Sequence, residues 1–136
     1  MTGVRELRLV VTTDDYDAAV AFYRDALGLA EAAEYISDGE GRVIILEAGR
    51  ATLEISDQPH AAHIDQVEVG HRVAGHIRVA FGVPDAAAAT ETLVAAGAHL
   101  IASPTPTPWH SLNSRLDGPA GLQLTLFGEL DDLDVR

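Results

Sequence analysis

The feature that most limits what this chain can form is that it repeats its own pattern. Leu7, Leu9 and Val11 alternate with Arg8, Val10 and Thr12 as a strand would. Asp14 and Asp15 then offer cap oxygens, Val20, Tyr23 and Leu27 recur at helical spacing, and Gly28 supplies a helix stop. Three more strands are predicted over 32–37, 42–48 and 51–56, set off by the "SDGEG" and Gly49-Arg50 turns. After residues 58–74, which show no sustained period and read as a connector with a short strand or extended arm near 65–69, the order restarts. "GHIRVAF" is a strand, Asp85 opens an Ala-rich helix with Leu93 and Val94 inward, and Gly97 closes it. Strands are then expected at 99–103, 110–117 and 122–127. Arg8 and Asp17 are spaced as His76 and Asp85 are, and "TLEIS" in the first half matches "QLTLF" in the second. One domain over 1–136 is expected, with modules at about 4–57 and 75–128, the connector between them, and a tail at 129–136.

Length and composition agree with one domain. A chain of 136 residues with 47% hydrophobic content suits a single core and is short for two. No apolar run approaches the roughly 20 residues of a membrane helix, and "MTGVRELRLVV" lacks the features of a signal peptide, so a soluble, cytoplasmic protein is expected. The absence of cysteine excludes disulfides, thiolate metal sites and a thiol nucleophile. Nine basic residues against twenty-one acidic ones give a formal charge of -12, which repels a polyanion, so no nucleic-acid partner is expected. Neither a phosphate-binding glycine loop nor a GxSxG elbow occurs.

Three stretches, "FYRDALGL" at 22–29, "GHIRVAF" at 75–81 and "PWHSLNSRLDGPAGLQLTLF" at 108–127, resemble the vicinal oxygen chelate superfamily of glyoxalases, bleomycin-resistance proteins and extradiol dioxygenases. The resemblance spans nearly the whole chain. It implies an α+β fold of two tandem βαβββ modules forming a cup-shaped half-barrel, helices packed outside and the ligand on the concave face. It also implies a homodimer, in line with the open strand edges of such a module.

Strand parity agrees with a polar lining. Leu53, Ile55, Ile77, Val79, Leu124 and Leu126 share the helix-facing parity with Leu7 and Leu9, whereas Thr52, Glu54, His76, Arg78, Gln123 and Thr125 share the other with Arg8 and Thr12. For any one of these the alternative is a solvent-facing side chain. In the metal-dependent members of the superfamily one ligand comes from each of four strands, and the resemblance maps those positions to Arg8, Glu54, His76 and Thr125. Arginine has no lone pair to give and repels a cation, so no metal and no other cofactor is expected. Arg8 can instead pair with Glu54. Trp109 and Asn113 are further candidates for ligand contact, with plain packing as the alternative for Trp109. His60, His63 and His71 read as part of a solvated linker.

The leading expectation is a metal-free protein that binds a small organic molecule in a concave pocket, of the sequestration or resistance type. Its ligand contacts would be Arg8, Glu54, His76, Arg78, Trp109, Asn113 and Thr125, and the acidic chain with Trp109 suggests an aromatic or amphipathic ligand carrying positive charge. The alternative is a lyase, isomerase or dioxygenase of the same superfamily. Such an enzyme would have an atypical metal site, or would use His76 and Glu54 in metal-independent acid–base chemistry.

Overall fold

A computed structural model of the protein describes residues 3–37 and 40–130. Parts of the "SDGEG" turn and most of the 129–136 tail lie outside these residues. The alternation near the N-terminus forms β1 (Glu6–Thr12). Asp15 caps α1 (Tyr16–Val20) by accepting the Ala18 N–H at 3.0 Å, and a π-helical stretch over Ala21–Ala26 continues it. The wider π turn rotates the following residues off the core-facing stripe. Val20 is therefore buried, while Tyr23 and Leu27, expected on the same stripe, are exposed. Strands β2 (Glu31–Ile36), β3 (Arg42–Ala48) and β4 (Ala51–Ser56) complete the first half.

The second half repeats the order with β5 (Ile77–Gly82), then a helix over Ala86–Ala95, then β6 (His99–Pro106), β7 (Ser111–Asp117) and β8 (Gln123–Glu129). Asp85 caps that helix through the Ala88 N–H, also at 3.0 Å. Val94, expected inward, is exposed, and the helix buries Ala86, Ala89 and Thr90 instead.

All eight strands join one open sheet in the order β2-β3-β4-β1-β5-β8-β7-β6. β1 runs parallel to β4, β5 runs parallel to β8, and the antiparallel β1–β5 pair joins the halves. Each helix covers its own half. Tyr16 and Val20 pack on Ile44, Leu46 and Ile55, while Ala86 and Ala89 pack on Val83, Leu116 and Leu126. Burying each of the larger aliphatic side chains stabilises the fold by about 1.5–3 kcal/mol.

The connector is not an arm. It forms an 11-residue helix, α2 (Gln58–Glu68), so the Ala86–Ala95 helix is α3. Asp57 accepts the His60 N–H at 2.9 Å, and Pro59 occupies the first turn, where its missing N–H has no consequence. On β7, Ser114 and Leu116 face α3, whereas Asn113 and Arg115 bond to α2, so α2 lies on the opposite face of the sheet from the other two helices. It crosses from one half to the other. At its start a Cβ on Gly41 would collide with the His60 backbone, and Asp57 accepts the Arg42 N–H; at its end Glu68 is bonded to β7.

Candidate functional site

Between the inner face of the sheet and α2 lies a cavity of about 700 Å³. Its floor comes from the four central strands, β4, β1, β5 and β8, and its roof from His60, Ala61, His63 and Ile64 of α2. Because side chains alternate along a strand, the residues reaching the floor are Arg8 and Val10, Glu54 and Ser56, Arg78 and Ala80, and Thr125 and Phe127. Tyr35 and Trp109 also line it; both are exposed, and Trp109 retains 44% of its surface.

Arg8 is paired. Its Nη1 donates to Glu54 Oε1 at 3.2 Å and its Nε to Glu6 Oε2 at 3.0 Å, while the guanidinium carbon sits 4.5 Å from the centre of the Phe127 ring. Burial works against the charge, but the Glu54 and Glu6 carboxylates outweigh it and raise the guanidinium above its ordinary range.

Arg78 is held differently. Its Nη1 donates to Thr125 Oγ1 at 2.8 Å, and among the described residues it forms no ion pair. Burial pushes this guanidinium below its ordinary range, and the more distant carboxylates, Glu68 foremost, offset that only in part. The ordinary value is so high that the charge is retained.

On the next strand outward, Arg115 has no exposed side-chain surface and is ringed by partners. It donates to Asp65 Oδ1 at 2.7 Å, to Glu68 Oε1 at 2.8 Å and to Gln123 Oε1 at 2.8 Å. Asp65 accepts in addition from Arg72 and from the N–H groups of Val73 and Ala74, each at 2.8 Å. Burial would raise the Asp65 carboxyl, yet those N–H groups and Arg115 hold it below its ordinary range. Asn113 donates to Glu68 Oε2 at 2.8 Å and accepts from the Ser111 hydroxyl at 2.6 Å. It borders the cavity with both ends of its amide already occupied by protein groups.

His76 does not join the site. It is exposed, precedes β5 and does not line the cavity; its carbonyl accepts the Thr12 N–H at 2.9 Å. The reason is register. The cap that corresponds to Asp85 is Asp15, not Asp17, and the same seventy-residue relation makes Arg78, not His76, the counterpart of Arg8. Strand pairing agrees: Val10 faces Glu54 as Ala80 faces Thr125.

His60 and His63 were expected in a solvated linker and instead roof the cavity, with ring centres 6.2 Å apart. Burial first, and His63 second, lower His60 to about 4, so it is neutral at pH 7. Its Nδ1 is buried without a hydrogen-bond partner among the described residues. The sequence signal for this helix was the Asp57-Gln58-Pro59 start.

With the register corrected, the four positions at which the resemblance implies metal ligands hold Arg8, Glu54, Arg78 and Thr125. Two guanidinium groups supply no lone pair and repel a divalent ion, so this donor set does not fit a metal. Among the described residues no three His, Asp or Glu side chains are grouped to hold one elsewhere.

The fold has close structural likenesses. Methylmalonyl-CoA epimerase from Mycobacterium tuberculosis superposes with a TM-score of 0.68 at 19% identity, over 100% of this chain and 97% of that one. A hypothetical protein from Bacillus halodurans gives 0.67 at 16% identity, over 92% and 94%. A 4-hydroxymandelate synthase variant from Streptomyces coelicolor gives 0.63 at 22% identity, over 94% of this chain and 38% of that one. At these identities the likeness establishes the fold alone. Sequence comparison with curated proteins gives no match. The family model for the Glyoxalase/Bleomycin resistance protein/Dioxygenase superfamily matches residues 7–126, and the chain belongs to that superfamily.

Proposed function

We propose that the protein binds a small organic molecule in the cavity between the sheet and α2, without a metal ion. One observation carries this reading. The cavity, about 700 Å³, is of a size that takes small organic molecules, and it combines apolar walls with a few polar groups. Acid–base catalysis by His76 and Glu54 has less support, because His76 lies outside the cavity and Glu54 already accepts from Arg8. Trp109, the only tryptophan, reports on occupancy because it lines the cavity. A fragment screen followed by its indole N–H signal should yield binders, and loss of their signal change in an Ile64→Phe variant, which fills the roof without adding a second indole, should follow. Protein purified without chelator should carry substoichiometric Zn, Ni, Mn and Fe. A full equivalent of metal that is lost in Glu54→Ala would overturn the metal-free part.

A homodimer belongs to the same reading. β2 and β6 are open edges, and Tyr35 and Ile36 on β2 are exposed. A monomer mass by light scattering at micromolar concentration would remove it.

A further inference from the structure

We infer that the molecule the cavity takes is an anion, and that Arg78 is its anchor; this rests on the binding reading above. A guanidinium carries five N–H donors, and the described residues occupy one of Arg78's, through Thr125 Oγ1. Arg78 borders the cavity together with Ala80, Ala61 and Ile64, and with Glu54, Asp65 and Glu68 among the other lining residues. A charge in such surroundings is costly until it is paired.

The nearby carboxylates are committed elsewhere. Glu54 accepts from Arg8, while Asp65 and Glu68 accept from the fully buried Arg115, at 2.7 and 2.8 Å. The Thr125 hydroxyl that accepts from Arg78 also lies 3.4 Å from Glu68 Oε1, so it stands between Arg78 and the nearest acid. Glu129 lines the cavity too, but as an exposed residue at the end of β8. An incoming oxyanion, a carboxylate or a phosphate, would meet four unspent donors and no ion-paired carboxylate at Arg78, whereas Arg8 has spent three of its five donors on Glu6 and Glu54. This reverses the expectation drawn from net charge. The field of a -12 chain acts at long range and is screened by salt, whereas a paired guanidinium inside a cavity acts at contact.

The test uses four phenyl compounds of similar size on the whole protein: benzoate, phenyl phosphate, benzamide and benzylamine, each titrated against the Trp109 indole N–H signal. Benzoate or phenyl phosphate should bind about tenfold or more tightly than benzamide, as a charge-assisted hydrogen-bonded pair implies. The tighter of the two identifies the oxyanion. In Arg78→Gln the preference should vanish, with benzoate falling to the level of benzamide, while Arg78→Lys should keep part of it. Adding salt should not weaken the anions in the wild type, since it screens a repulsive field. If benzamide or benzylamine binds as well as the anions, or if Arg78→Gln keeps the preference, the anchor is overturned and the binding cavity stands. If none of the four moves the signal, both fail.

Discussion

The two halves of the sheet present the same arginine in two conditions. Arg8 and Arg78 are counterparts on β1 and β5, and Glu54 and Thr125 are counterparts on β4 and β8. In the first half the acid is kept and the arginine is neutralised, at a side-chain exposure of 32% for Arg8 and 14% for Glu54. In the second half a threonine replaces the acid, and the arginine keeps most of its donors. The acids of that half are drawn one strand outward to Arg115, where they pin α2. What separates the halves is therefore the pairing of an arginine rather than its presence.

The largest effect should come from the pairing that has no equivalent in the first half. Arg115→Ala leaves Glu68 buried without its cation and Asp65 with Arg72 alone, and should cost about 3–5 kcal/mol in denaturant unfolding. Arg8→Ala, whose partners are partly solvated, should cost less than about 1 kcal/mol. Equal losses would show that the two pairings are energetically alike.

Acid should act next, through α2. His60 titrates near 4 in the folded protein and at its ordinary, higher value once unfolded, so the unfolded chain binds more protons between roughly 6.5 and 4. Stability should fall across that window by at most about 3 kcal/mol, reduced by the ring's remaining contact with water. Asp65 is also lowered, which for a carboxyl favours the charged form, so its contribution is present above the ordinary carboxylate range and is lost as pH falls below it. His60→Gln should flatten the upper window and leave the lower one, as read from melting temperature against pH.

Gly41→Ala tests the first-half end of α2. The added methyl meets the backbone of His60, which cannot yield as a side-chain tip could, and a cost of about 1–3 kcal/mol is expected in the same unfolding experiment. The smallest effect should come from Glu54→Thr, which gives the first half the second half's residue. Arg8 keeps Glu6, so the loss should be below about 1 kcal/mol, and benzoate should gain a weak second site detectable at high concentration.

Much of this architecture follows from residue order. The seven-residue alternation of β1, the turn glycines and the Asp-capped helices are local signals, and they lie where the strands and two of the helices form. The inner-face parity of Arg8, Glu54, Arg78 and Thr125 is local too. Two things were not readable. The buried face of α2 is Ala61, Asp65 and Glu68, so apolar periodicity shows no stripe; Glu68 is buried against Arg115 and Asn113 from a strand far along the chain, and Asp65 against Arg115 together with the nearby Arg72, Val73 and Ala74. The register of the repeat is ambiguous by two residues in the sequence, since Asp15 and Asp17 both stand at the start of the first helix, and the cap hydrogen bond at Asp15 resolves it. His76 was misplaced for that reason.

The placement of α2 also bears on the order of events in time. Its acids and their partner Arg115 are separated by 47 and 50 residues, so beyond the local bonds of Asp65 to Arg72, Val73 and Ala74 the helix gains its long-range anchors only after a long loop has closed and β7 is in position. Without them it is a short segment with a polar face and little to hold it helical. We expect the sheet to assemble first and the roof to dock last, with the amides of 58–68 exchanging hydrogen ahead of those in β3 and β8. Trp109 would then sense the final step of folding and the first step of unfolding, and the cavity would open to solvent well before the domain itself comes apart.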